Sequence, residues 1–513
     1  MNLTYFPLRE YTGLLQGLGQ LAAPVPGGLD LERTVKLVSY NSREVVPGTL
    51  FLCKGAHFRQ DYLADALRRG AFAYVSERAY PEVDLPCVLV RDMRQVLAPL
   101  AVKYYNNPAE KLKVIGVTGT KGKSSTSFYL KHILDELLAP QGKSCGLITS
   151  IETWDGVERF ESKLTTPEPL ELQKHLANAA ASGMEYVVME ASSQALKYHR
   201  TMGVRLTAAA FLNIGVDHIS PIEHPDFEDY FHSKLKIFAQ ADCSCVNMDC
   251  DHAQEAVETA YNTCGTVFTF SRHNPAAAVY ASGVRKVGHS TLFQVDAGHL
   301  SGQYRLTMPG LFNVDNALAA IAVCRGLDIP KQAVVDGLAR ARVPGRMEVY
   351  ASADDSVVVI VDFAHNQMSF ENLMRTARAE YPGRRVVAVF GSVGDKAYDR
   401  RQGLGETGGR YADLSVLTED DSGEEDTRSI CEEIGGHVAA QGGAYTIQVN
   451  RGEAIRQAIL GCKEPSLVLL VGRGVESRQK RGQEYIDTPT DVEYAQAFLR
   501  EWDARHAPQG TGA

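Results

Sequence analysis

Residues 114–126 read VIGVTGTKGKSST, and the reading of this stretch decides the fold. A β-branched apolar run (Val114, Ile115, Val117) passes through glycines into Lys123-Ser124-Ser125-Thr126, which opens an apolar-periodic segment. That order predicts a strand, a tight turn and a helix. Glycines let successive backbone N–H groups face an anion, and the helix N-terminus adds partial positive charge. Gly119, Thr120, Lys121, Gly122, Lys123, Ser124 and Ser125 are therefore a candidate phosphate cradle. Lys123 would reach the terminal phosphates of a nucleotide and Ser124 would ligand Mg²⁺. The spacing departs from the usual phosphate loop, which has a glycine five residues before Gly122. Val117 stands there.

The rest of the chain is that of a large α/β protein. Its 513 residues exceed one ordinary core, so two to four domains are expected. Hydrophobic residues make up 44% and charged residues 22%, without low-complexity tracts. Charge sums to 53 − 62 = −9 with no long basic stripe, which argues against nucleic acid as a partner. No apolar run reaches the roughly 18 residues of a membrane span, so no membrane insertion is expected. The opening MNLTYFPLREYTGLLQGLG lacks the pattern of a signal peptide. Ten scattered cysteines suit reduced thiols and a cytoplasmic setting. Cys243, Cys245, Cys250 and His252 lack zinc-finger spacing and read as core or surface thiols.

Short strands and helices alternate through residues 1–108, up to a polar joint at KYYNNPAEKLK. In 109–345, strands such as EYVVMEAS and TAAAFLNI alternate with helical segments such as PLELQKHLANAAASG, predicting a mostly parallel sheet. A third unit, 346–513, carries the buried strands VVVIVDFAH, RRVVAVFGS, LSVLTEDD and SLVLLVGRG, each leading into a polar loop. Ligand groups gather at such carboxyl-end loops. Three residues beyond the phosphate loop invite attention. Glu190 ends a buried strand, where a carboxylate is costly without a cation. His218 follows another strand, and Lys234 lies on an amphipathic helix. Their ordinary readings are a solvated strand end, a loop hydrogen-bonder and a surface lysine. No Ser-His-Asp constellation stands out.

GVTGTKGKSS, LTTPEPLEL, MEASSQAL, FLNIGVDHISPIEHPDFEDYFHSK, GLFNVDNALAA, VPGRMEV and VDFAHN occur in the order found in the Mur ligases of peptidoglycan synthesis. The chain resembles that family over nearly its whole length, and within it the MurE type. The resemblance implies three domains: an N-terminal UDP-binding α/β domain, a central P-loop ATPase-type sheet and a C-terminal Rossmann-like domain. It implies ATP and Mg²⁺, and an amide ligase that activates a carboxylate as an acyl phosphate. Lys123, Lys234 and His218 would be catalytic; Ser124, Glu190, His218 and a carbamylated Lys234 would hold metal. Asn313, Arg346, Asp362 and His365 would bind the nucleotide. The carboxylate substrate of the family is UDP-N-acetylmuramoyl-L-alanyl-D-glutamate, for which Ser42, His57, Phe58, Thr165, Thr166, Ser192 and Arg200 are the matching positions. Tyr198 stands where some relatives have Gln. A monomer is expected.

The incoming diamino acid would meet Lys396, Asp420, Asp421, Gly472 and Glu476. Members that add meso-diaminopimelate carry Asp-Asn-Pro-Arg where this chain has Asp420-Asp421-Ser422-Gly423. Asp420, Asp421, Glu424 and Glu425 together should prefer a terminal ammonium to a terminal carboxylate. L-Lysine is the expected substrate, with diaminopimelate, ornithine or a folate/polyglutamate-type ligase as alternatives.

Overall fold

In the computed structural model the described residues are 3–55, 58–217, 219–220, 223–395 and 397–506. The chain divides into two compact units, Met1–Ser282 with Gln294–Gln303 and Asp315–Leu338, and Gly283–Phe293 with Tyr304–Val314 and Ala339–Ala513.

The first unit holds two sheet systems. Four parallel strands come first, Leu37–Ser39, Thr49–Leu52, Ala71–Ser76 and Cys87–Leu89, in chain order. The joint that follows turns on Asn106 and Asn107, both left-handed (φ 61° and 48°), a conformation asparagine tolerates better than most residues. The strand Lys113–Thr118 then enters the centre of an eleven-stranded sheet. Tyr186–Glu190 and Ala208–Phe211 flank it, both parallel. Gly146–Ile148 lies beyond the former, and Cys243–Asn247 and Thr266–Ser271 beyond the latter, again parallel. The five strands from Gly146–Ile148 to Cys243–Asn247 are buried on both faces, and Thr266–Ser271 only at its end. Antiparallel strands Glu152–Trp154 and Arg159–Glu161 finish one edge; at the other, Val279 and Tyr280 pair parallel with Phe270 and Ser271. Helix Lys123–Leu138 buries Phe128, Leu130, Ile133 and Leu134.

The second unit is built on a six-stranded sheet in the order Glu348–Ala351, Val357–Asp362, Ser466–Val471, Arg385–Phe390, Leu414–Leu417, Tyr445–Ile447. All pairs are parallel except the first, which is an antiparallel edge. Ser466–Val471 sits between Val357–Asp362 and Arg385–Phe390, so the strand order reverses there, and the loops after these strands share one end. All ten cysteines are unpaired thiols; Cys243 and Cys245 are buried in one strand. No helix among the described residues is long and apolar enough to cross a membrane.

Candidate active site

The strand–turn–helix reading of residues 114–126 holds: the strand ends at Thr118 and the helix starts at Lys123. Gly122 caps it at φ 85°, and a Cβ there would lie 2.2 Å from Asn316 Oδ1. The left-handed φ favours glycine, and the Asn316 side chain occupies the space a Cβ would take. The loop is held from below by Asn213, whose Oδ1 accepts from Lys121 N (2.9 Å), whose Nδ2 donates to Lys121 O (3.1 Å), and whose carbonyl accepts from Thr120 N (3.0 Å). Lys121 itself points outward to Asp217 (3.1 Å). Lys123 Nζ donates to the carbonyls of Gly119 (3.0 Å) and Thr120 (3.2 Å). Ser125 is buried in the first helical turn.

Glu190 ends its strand 1% exposed. Its Oε1 accepts from Ser124 Oγ (2.8 Å), Ser150 N (3.0 Å) and Ser150 Oγ (3.3 Å), all neutral donors. Serine hydroxyl and carboxylate are hard oxygen ligands of the kind Mg²⁺ takes, so the set fits that ion. Ser150 was not expected; only the fold brings it here. Lys234 is 2% exposed, far from the ordinary surface lysine. Its Nζ donates to Gly119 O (2.9 Å), and among the described residues no carboxylate pairs with it. Burial first, and then repulsion from Lys123, push its ammonium well below the usual lysine range; Asp217 offsets this only in part. Tyr230, on the same helix, meets Thr120 Oγ1 (3.0 Å). The phosphate loop, Glu190 and Lys234 thus form one site. His218, expected in it, lies outside the described residues, as do His57 and Lys396.

Thr166 Oγ1 donates to Glu190 O (2.8 Å) and accepts from Ser192 N (3.0 Å), while Ser192 caps the helix Ser193–Lys197. Thr165 is half-buried beside them. Arg200 reaches Thr166 O (3.3 Å) and Glu168 (2.9 Å), and Glu168 also binds Lys54 (2.5 Å). Tyr198 lies under the Arg94 guanidinium at 3.9 Å. Ser42 begins a short helical turn capped by Asn41, and Phe58 packs on Tyr80 (5.6 Å) and Tyr62 (6.1 Å).

In the second unit Asn313 Nδ2 donates to Pro309 O (2.7 Å). Arg346 lies over the Phe363 ring (5.0 Å). Asp362 accepts from Met347 N (2.9 Å) and Ala364 N (2.8 Å); burial raises its carboxyl in spite of Arg346. His365 Nδ1 meets Phe363 O (3.0 Å), and burial lowers its imidazole.

The acidic loop is less open than its sequence implied. Asp421 pairs with buried Arg473 (2.9 Å), which also approaches Asp420 (3.4 Å) and Glu476 (3.7 Å). Glu425 is bound to Arg401 (2.6 Å), so its charge is offset, whereas Glu424 meets only the neutral amide of Gln483 (2.7 Å). Counting acidic letters missed the arginines, which arrive from distant segments. Gly423 has φ 58°, and a Cβ there would stand 2.0 Å from Asp395 Oδ2. The loop is shaped against any side chain at this position. Gly472 (φ 110°) lies next to Asp420.

Comparison with known proteins agrees with this geometry. Residues 117–324 match the Mur ligase middle domain, and 345–474 the Mur ligase, glutamate ligase domain. The UDP-N-acetylmuramoyl-L-alanyl-D-glutamate–L-lysine ligase of Enterococcus faecalis is 37% identical over 98% of this chain and 100% of its own. A UDP-N-acetylmuramyl-tripeptide synthetase of Lactobacillus delbrueckii is 35% identical over 92% of this chain and 94% of its own. Among solved structures, a UDP-N-acetylmuramoyl-L-alanyl-D-glutamate–2,6-diaminopimelate ligase superposes with a TM-score of 0.69 at 22% identity, covering 97% of this chain and 99% of that one. It shares the fold.

Proposed function

Since this chain belongs to the Mur ligase family, we propose that it is the ATP-dependent ligase that joins L-lysine to the D-glutamate of UDP-N-acetylmuramoyl-L-alanyl-D-glutamate. The observation that carries the reading is Lys234, buried without a carboxylate partner among the described residues and bonded to Gly119 of the phosphate loop. A lysine held below its usual range presents a neutral amine. That amine can take up CO₂, losing a proton, to become a carbamate anion. Ser124, Glu190, His218 and the Lys234 carbamate would then hold Mg²⁺, which when bound supplies positive charge to the transferring phosphoryl group.

The work divides among residues 1–108 for the UDP-sugar, 109–345 for ATP and 346–513 for the amino acid. A glutamate carboxylate oxygen attacks the γ-phosphorus of ATP, ADP leaves, and an acyl phosphate forms. The lysine amine then attacks the acyl carbon, phosphate leaves, and the amine loses a proton. Lys123 and the loop N–H groups stabilise the charge on the phosphoryl oxygens. Asn313, Arg346, Asp362 and His365 hold the nucleotide. Ser42, His57, Phe58, Thr165, Thr166, Ser192 and Arg200 hold the UDP-muramoyl-dipeptide, Arg200 by its planar fork. Lys396, Asp420, Asp421, Gly472 and Glu476 receive the diamine. The absence of an arginine at Gly423, where Asp395 fills the space, and the names of the relatives both favour lysine over diaminopimelate. The protein works as a cytoplasmic monomer.

The test is phosphate release with the UDP-muramoyl-dipeptide, ATP and Mg²⁺, comparing L-lysine, ornithine and meso-diaminopimelate. Lysine should be used fastest. Turnover with diaminopimelate alone overturns the choice of amine, and no turnover with any of the three overturns the reading itself.

A further inference from the structure

Inside the first unit three side chains lie in line that the sequence keeps apart. Ser193 Oγ is 3.0 Å from His224 Nε2, and His224 Nδ1 is 2.6 Å from Asp229 Oδ2. A Ser-His-Asp set therefore exists after all. It does not look like a nucleophilic one. His224 is wholly buried, Ser193 is buried at the first turn of its helix, and Asp229 is also bound by Lys197 (2.6 Å). A nucleophile must meet its substrate, and this hydroxyl is shut in.

Its position suggests another use. Ser193 begins the short helix Ser193–Lys197, three residues after Glu190 and directly after Ser192. Asp229 lies in the first turn of the helix Phe227–Leu235, and Lys234 in its last. That helix is tied to the phosphate loop twice, by Tyr230 to Thr120 and by Lys234 to Gly119. His224 ties it to the Glu190 end. Lys197 joins the same two helices but through a flexible four-carbon stem, whereas imidazole is a rigid planar spacer. The His224 ring also packs edge-on against Tyr230 at 5.2 Å, and its carbonyl accepts from Ser220 N (2.9 Å).

We propose that His224 is a positioning residue for the ligase reaction: by bonding Ser193 on one side and Asp229 on the other, it fixes Lys234 relative to Glu190 and Ser192. The inference rests on the function proposed above for Lys234 and Glu190. Small displacements of such groups cost rate far more than they cost binding.

His224→Phe keeps the ring and removes both hydrogen bonds. Its kcat should fall about tenfold or more, with KM for ATP and for lysine within about twofold of the parent. Ser193→Ala should lower kcat less, and the double variant should be no slower than His224→Phe alone, because both changes cut one connection. His224→Gln, which keeps one of the two bonds, should fall between, and it replaces the Phe variant if that chain does not fold. A parental kcat in the folded variants, or losses that multiply in the double variant, overturns the proposal. The crystal structure of the variant is a readout independent of turnover. The helix Phe227–Leu235 should be displaced from residues 190–193, and an unmoved helix overturns the proposal. If the parent itself shows no ligation, the function of the site falls, and this structure alone decides the role of His224.

Discussion

The two units treat buried cations in opposite ways. In the second, each buried arginine is matched with acid: Arg401 with Glu425 and Glu433, Arg451 with Asp491, Arg473 with Asp421. In the first, buried Lys234 faces a carbonyl oxygen, with no carboxylate in ion-pair contact among the described residues. The difference follows from the side chains. A guanidinium cannot shed its proton in a protein, so burying it requires a counter-charge. A lysine can lose its proton when desolvated, and doing so yields a nucleophilic amine. The arginines are held by fixed ion pairs; the lysine is held by a carbonyl.

The largest effect should come from unmatching a scaffold pair. Arg451 and Asp491 are both buried, with bonds of 2.6 and 2.7 Å, and Arg451 also donates to Val471 O (3.1 Å). Arg451→Met leaves Asp491 buried and alone, and should destabilise the second unit by about 3–5 kcal/mol in urea unfolding. Adding Asp491→Leu should recover much of that loss. If the single change costs nothing, the arginines are not scaffold and the contrast fails.

The converse swap comes next. Lys234→Arg places a permanent cation where no carboxylate among the described residues forms an ion pair, and removes the amine. Phosphate release should fall about a hundredfold or more, whatever the melting temperature does. Full activity in this variant would show that the proton on Lys234 is irrelevant.

How much of this contrast was legible in the sequence depends on range. The phosphate loop was plain because strand, glycines and helix are consecutive, and the positive φ of Gly122 belongs to that local shape. Glu190 was visible as a carboxylate ending an apolar strand. Lys234 was not: its burial depends on the helix Phe227–Leu235 packing over a loop more than a hundred residues earlier, and only family resemblance raised it above a surface lysine. The same limit explains the acidic loop. Asp420, Asp421 and Glu425 are near neighbours in sequence, but Arg473 and Arg401, which offset them, come from other elements. Asn213, Asn316 and Ser150 escaped notice for the same reason, since small polar residues carry no pattern of their own.

A smaller effect tests the middle ground, a buried carboxylate satisfied without a full cation. Asp155 accepts from Val157 N (2.9 Å), Glu158 N (2.7 Å), Asn178 Nδ2 (2.8 Å) and His175 Nδ1 (2.7 Å). Burial raises its carboxyl, but the bonds from His175, Glu158, Asn178 and Val157 outweigh it and hold the group at about 2. A depressed carboxyl stabilises the fold above its unfolded value, near 3.9, and the benefit is lost as pH falls toward 2. Asp155→Asn should therefore cost about 2 kcal/mol at neutral pH. The gap from the parent should close between about pH 4 and pH 2. A gap that persists at pH 2 would assign the effect to packing.

The smallest effect belongs to the exposed cation of the phosphate loop. Lys121 and Asp217 form a pair whose side chains are 58% and 28% exposed, so water and salt screen it. Lys121→Ala should change stability by no more than about 0.5 kcal/mol and the KM for ATP by about twofold or less. What matters at this position is the backbone, which Asn213 grips through both Lys121 N and Lys121 O. Asn213→Ala removes two hydrogen bonds from a loop that must hold its N–H groups toward phosphate, each worth about 1 kcal/mol. It should raise the KM for ATP about tenfold while leaving the KM for lysine alone. Should Lys121→Ala prove the more damaging of the two, the outward lysine is a phosphate ligand after all. The division between cations that act and cations that only solvate would then have to be redrawn within the loop itself.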